Sequence, residues 1–190
     1  MKKTLIAAAL ACFVATPAFA EPTTFTFDPQ HTFPHFSYDH FGMTNQHLRF
    51  DKATGSVTLD QEAKKADVDV VIDMKSISTG FEAFDSGIQK EDFFNTEKYP
   101  EATFKSTKVN FDGDKPTSIE GDLTIKGITK PITLEISSFT RKEHPLLKKD
   151  TIGVEASGKL KRSDFDAGKF VPLVGDEVTL NIVVEAMAEE

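Results

Sequence analysis

The sequence predicts an all-β fold, an antiparallel barrel or sandwich, and three observations carry that expectation. Apolar and polar residues alternate with period two through most of the chain, the pattern of strands with one buried face. Clusters of Gly, Asp, Asn and Pro separate the alternating runs, as turns between strands require. Phenylalanine is abundant, 17 residues against two tyrosines and no tryptophan. That ring carries no polar handle and suits a dry interior.

The first twenty residues, MKKTLIAAALACFVATPAFA, read as a signal peptide rather than as part of the fold. Lys2 and Lys3 form a basic start, residues 4–16 are mostly apolar, and Ala18-Phe19-Ala20 is an A-x-A cleavage site. The apolar run is too short to stay across a bilayer, and Ala9-Leu10-Ala11 before Cys12 fits a lipoprotein box poorly. The expected mature chain begins at Glu21, is exported to the periplasm, and forms a single domain over residues 21–190. It keeps no cysteine, so burial and strand pairing alone must hold it. It also keeps 20 of the 22 basic residues against 30 acidic ones, a net charge of −10. Such a surface repels nucleic-acid phosphates and anionic headgroups, which argues against nucleic acid and for at most transient membrane contact.

Strands are predicted at residues 24–27, 56–60, 66–74, 102–111, 118–126, 131–139, 151–160 and 177–188. In ADVDVVIDM, Ala66, Val68, Val70, Ile72 and Met74 share one face. With the histidine-rich segment the count reaches eight or nine, in keeping with one barrel or sandwich and no second domain. Residues 80–100, GFEAFDSGIQKEDFFNTEKYP, break the pattern. Ser86 and Gln89 have the spacing of a capping box and predict a short helix over 86–95. Phe81, Phe84, Ile88, Phe93 and Phe94 make that segment too apolar for an exposed connection. Patterning alone leaves it as a lid over a ligand or a plug of the barrel end.

The stretch QHTFPHFSYDHFG, residues 30–42, holds three histidines and four further aromatic rings. His31 and His35 are four apart, but Pro34 between them breaks the helix that would align them on a metal. Asp28 and Asp39 complete no ligand spacing of a known kind, and no metal site is expected. His47 and His144 read as solvated loop residues. The chain has no Gly-x-Ser-x-Gly elbow and no glycine-rich phosphate loop, and the mature chain has no cysteine nucleophile. No catalytic residue is assigned, and the protein reads as a binding protein rather than an enzyme.

Five stretches in sequence order resemble the YceI family of lipocalin-like proteins. The first is Asp28-Pro29-Gln30-His31-Thr32, followed by Phe36 and His40-Phe41-Gly42. Residues 72–80 (IDMKSISTG) resemble the second block, and residues 92–95 (DFFN) with 98–107 (KYPEATFKST) the third. Residues 121–131 (GDLTIKGITKP) match most closely, and Arg162-Ser163-Asp164-Phe165 is the last. Two departures stand near the expected cavity mouth. The chain has Asp85-Ser86-Gly87-Ile88 where the family usually carries Asp-x-His-Leu, and Asp166 where it usually carries glycine. They bear on headgroup preference, not on fold.

The resemblance implies an eight-stranded antiparallel lipocalin-like barrel with a short helical lid, exported and without a metal. Its elongated apolar cavity would hold an isoprenoid lipid, either a polyprenyl chain or an isoprenoid quinone such as ubiquinone, with no catalytic cofactor. Eight strands are about the smallest closure that leaves room for a ligand. The residues expected to meet that ligand are His31, Phe33, Phe36, His40, Phe41, Phe81, Phe84, Ile88, Phe93, Phe94, Phe165 and Phe170. For the histidines, core residues satisfied by backbone carbonyls are an equal reading. The resemblance also allows a homodimer. Two other functions remain open at this point: an enzyme acting on the bound lipid, and a structural or stress-response barrel filled by its own side chains.

Overall fold

The computed structural model describes residues 21–189; the expected signal peptide lies outside them. The first half of the chain forms β1 (Thr23–Phe27), β2 (Phe33–His40), β3 (Thr44–Phe50), β4 (Ala53–Asp60), β5 (Lys65–Asp73) and the two-residue β6 (Ile77–Ser78). A short helix, α1 (Glu82–Ile88), precedes β7 (Glu101–Asp112), β8 (Lys115–Ile125), β9 (Ile128–Glu143), β10 (Asp150–Lys161) and β11 (Val174–Ala188). Eight strands run in the order β1-β4-β5-β7-β8-β9-β10-β11, and β11 pairs back onto β1. The result is a closed eight-stranded antiparallel barrel. Closure leaves none of its strands with an unpaired edge. No helix among the described residues is long and apolar enough to cross a membrane.

The other end of the barrel is built differently. There β11 pairs with β2, and β3 and β6 follow in order. The chain bends between β1 and β2, at Asp51 and Lys52 between β3 and β4, and in a 3-10 turn at Met74–Ser76 between β5 and β6. Backbone bonds stitch these bends to neighbouring strands: Asp28 N donates to Glu185 O at 2.8 Å, Asp51 N to Ser76 O at 2.9 Å and Met74 N to Pro100 O at 2.9 Å. β6 pairs only with β3, so the sheet is split between β6 and β7. Ile88 of α1 packs in one cluster with Ile77 of β6 and Ala102 of β7. The helix therefore covers the split rather than an exposed barrel wall.

Inward-facing positions form three clusters along the barrel. Phe36, Tyr38, Leu48, Phe50 and Ile88 gather at the split end, Phe104, Leu123 and Leu134 at the middle, and Phe25, Phe27 and Ile152 at the far end. Each follows from the period of two that the strands carry in sequence.

Two expectations need correction. The helix ends at Ile88 instead of spanning 86–95, and Ser86 lies inside it. Asp85, one residue earlier, is the side chain that accepts a backbone N–H, from Thr79 at 2.7 Å. Residues beyond Ile88 fold back as turns, with Phe94 N donating to Ile88 O at 3.1 Å and Thr96 N to Gln89 O at 3.0 Å. Residues 44–50 form a strand where none was expected, so His47 is an exposed strand residue rather than a loop residue. Only Leu48 and Phe50 of that strand are buried, too few to announce it in sequence.

Candidate functional site

A cavity of about 290 Å³ occupies the split end of the barrel, lined almost wholly by apolar side chains. A second compartment of about 90 Å³ continues toward the far end, walled by residues such as Phe27, Phe139 and Ile152. Pro34, Val70, Phe104, Leu134 and Ile182 line both. The interior therefore holds two adjoining apolar compartments that share wall residues at the middle. The first compartment alone lies near the small end of ligand cavities.

Nine of the twelve residues selected from sequence line the first compartment. Phe36 and His40 reach it from β2, and Phe41 from the turn that follows. Phe84 and Ile88 come from α1, Phe93 and Phe94 from the turns after it, and Phe165 and Phe170 from the β10–β11 connection. Phe94 meets Phe36 and Phe50 at ring-centroid distances of 6.2 and 5.9 Å. Phe41 and Phe170 are about half exposed at the rim, each with left-handed backbone (φ 61° and 68°). Bulky residues rarely adopt that conformation, and such strain gathers at functional sites.

Three selected residues lie elsewhere. Phe33 sits on the outward face of β2, opposite in parity to Phe36, with the Arg49 guanidinium 4.8 Å over its ring. The His35 ring packs edge-on against it at 6.5 Å. Phe81 is 68% exposed just before α1. His31 is 58% exposed, its Nδ1 2.6 Å from Asp28 Oδ2. That hydrogen bond raises the His31 pKa. Burial pushes the Asp28 pKa up, but the bonds from His31 and the Gln30 amide outweigh it and leave the carboxyl below its ordinary value. Asp28, His31 and Glu185 place ligand atoms within 4.8 Å of one another, a set the sequence spacing did not reveal because Glu185 comes from β11. Direct pairing of Asp28 with His31 already accounts for their approach.

Polar groups at the cavity wall are few. Arg162, in the 3-10 turn Arg162–Phe165, donates through Nε to Gly175 O (2.9 Å) and through Nη1 to Ala167 O (2.9 Å) and Lys169 O (3.2 Å). Its Nη2 donates to Val174 O at 3.0 Å. One side chain thus ties down the rim segment that carries Phe170. Burial lowers the Arg162 pKa, opposed by the charge of Asp176. Asp166 has left-handed backbone (φ 52°), a conformation that glycine adopts most readily. Here the aspartate supplies a counter-ion, 3.2 Å from the Nζ of Lys126, whose side chain is 5% exposed. Tyr38, Arg162, Phe104 and Phe27 are cavity residues that sequence reasoning did not select. The inward parity of Phe27, Tyr38 and Phe104 was readable in β1, β2 and β7, but nothing local set them apart from ordinary core, and Arg162 lies in a 3-10 turn that carries no such parity.

A closed β-barrel around an apolar channel, open at one end beneath a helical cover, is a lipocalin-like architecture. The sequence matches the YceI-like domain over residues 25–186, and the chain belongs to that family. It is 36% identical over 193 residues to Protein YceI of Escherichia coli O157:H7, covering all of both chains. The crystal structure of a Campylobacter jejuni YceI protein is similar with a TM-score of 0.67 and 31% identity, over 80% of this chain and 90% of that one. A polyisoprenoid-binding domain from Saccharophagus degradans, implicated in plant cell wall breakdown, shares the fold at 16% identity with a TM-score of 0.63. That likeness covers 89% of this chain and 100% of that one.

Proposed function

We propose that this protein binds an isoprenoid lipid, a polyprenyl chain or an isoprenoid quinone such as ubiquinone, and shields it for carriage or storage in the periplasm. The observation that carries this reading is the pair of adjoining apolar compartments, one beneath the lidded mouth and one toward the far end, with Phe104 in the wall of both. Such a space suits a long branched hydrocarbon with a small head. Each buried methylene contributes about 0.8 kcal/mol, so a five-carbon unit grosses roughly 3–4 kcal/mol. A neutral hydrogen bond to the head nets about 1 kcal/mol. The tail dominates. The polyisoprenoid-binding relative from Saccharophagus degradans supports this ligand class, and the apparent signal peptide supports export.

A binding role is favoured over catalysis by what the wall's polar groups do. Four of the five Arg162 N–H donors are spent on backbone carbonyls, and the Asp28–His31 pair does not line the cavity. The cavity itself argues against a barrel filled by its own side chains. The test is organic extraction of detergent-free protein followed by mass spectrometry. A stoichiometric prenylated species is expected. An empty extract, with no uptake of added polyprenyl lipid or quinone, would overturn the proposal.

A further inference from the structure

Tyr38 is an anomaly in the channel wall. Its side chain points inward from β2 among Phe36, Phe50 and Val178, it lines the cavity, and the residue is 9% exposed. A buried tyrosine usually finds a partner for its hydroxyl, because an unpaired buried polar group is costly. Among the described residues no hydrogen bond engages Tyr38 Oη, although every fully sealed side-chain polar atom has one. The hydroxyl is therefore not sealed in, and it belongs to a side chain that lines the cavity.

Arg162 lines the same compartment. A guanidinium has five N–H donors, and four hydrogen bonds from Arg162 run to carbonyls of its own chain. No carboxylate among the described residues forms an ion pair with it; Asp176 acts on it only through its field. The compartment thus offers the Tyr38 hydroxyl and the remaining Arg162 N–H as donors, in a wall whose other polar side chains are His35, His40 and Lys169. The positive field beside the phenol favours a partner that presents negative partial charge.

We propose that Tyr38 is the residue that reads the ligand's head, donating its hydroxyl hydrogen to an acceptor oxygen, carbonyl or phosphoryl, beside Arg162. This deepens the carrier reading and rests on it. A hydrocarbon chain without oxygen would fill the same channel but leave both donors unanswered. Occupancy by the tail sets affinity, and Tyr38 sets which head is held.

Tyr38→Phe removes the hydroxyl and little else. Binding of three ligands with one prenyl chain length would be measured by calorimetry on wild-type and variant protein: a prenylated quinone, the prenyl monophosphate and the headless hydrocarbon. Y38F is expected to weaken an oxygen-headed ligand about fivefold to tenfold and leave the hydrocarbon unchanged. Loss confined to the quinone assigns a carbonyl, and loss confined to the phosphate assigns a phosphoryl oxygen; either supports the proposal. The ligand-free variant should melt no lower than wild type, since the lost hydroxyl has no internal partner. Equal affinities in both proteins, or a clearly lower melting temperature for Y38F, would overturn the role of Tyr38 and leave the carrier reading intact. Failure of the wild type to bind any of the three would overturn the carrier reading itself.

Discussion

The ring of Phe104 fills the space that a side chain on Gly121 would need. A methyl group at Gly121 would press on the tip of that ring and stand 2.6 Å from the Lys105 carbonyl oxygen. Phe104 borders both compartments of the channel, so glycine on β8 makes room for a ring in their shared wall. Gly121→Ala is expected to destabilise the protein by about 1–3 kcal/mol, the usual cost of overpacking. A urea unfolding midpoint equal to wild type would show that the ring yields freely.

Arg162 makes a second prediction. Its fork satisfies four carbonyls of residues 167–175 at once, which lysine cannot do from a single ammonium. Arg162→Lys is expected to cost about 2–4 kcal/mol, since buried carbonyls lose charge-assisted bonds. Amide exchange should quicken at Val171 and Val174, which bond to Gly168 O and Phe170 O. Unchanged exchange there would place the tie elsewhere.

The Asp28–His31 pair predicts a pH dependence. His31 is raised above its ordinary 6.5 by its hydrogen bond to Asp28, so its contribution is complete below 6.5 and lost as pH rises through the raised value. Asp28 is lowered from its ordinary 3.8, so its contribution is complete above 3.8 and lost as pH falls through the lowered value. The pair therefore supports the fold most at weakly acidic pH. Titration of the His31 ring by NMR should give a raised midpoint that drops toward 6.5 in Asp28→Asn. A midpoint unmoved by that change would remove Asp28 as the cause.

Much of the barrel was legible because its strands bury one face and alternate strictly. Val68 and Met74 are buried in phase along the fifth strand and the turn after it, as ADVDVVIDM announces. Where burial is sparse the signal failed: β3 keeps only Leu48 and Phe50 inside, and β6 is two residues long. The capping-box spacing at Ser86 misled because Ser86 lies inside the helix, which begins at Glu82 with no side-chain cap. For the cavity, aromatic richness found the lid and rim but overreached at Phe33 and Phe81, which composition cannot assign to a face. Tyr38 and Arg162 are recognisable only once parity and hydrogen bonding are known together, since what sets them apart is a partner missing or a partner found.

The central claim is that the tail, not the head, dominates binding, and a chain-length series tests it most directly. Isoprenoid quinones with one head and successively more prenyl units would be loaded from cyclodextrin and their affinities measured by calorimetry. With a gross gain of roughly 3–4 kcal/mol per unit, trimmed by ordering costs, affinity should rise at least about tenfold per added unit until the channel is full, then level off. If the shortest quinone bound as tightly as the longest, the channel would not be a tail-binding site, and the account would fail.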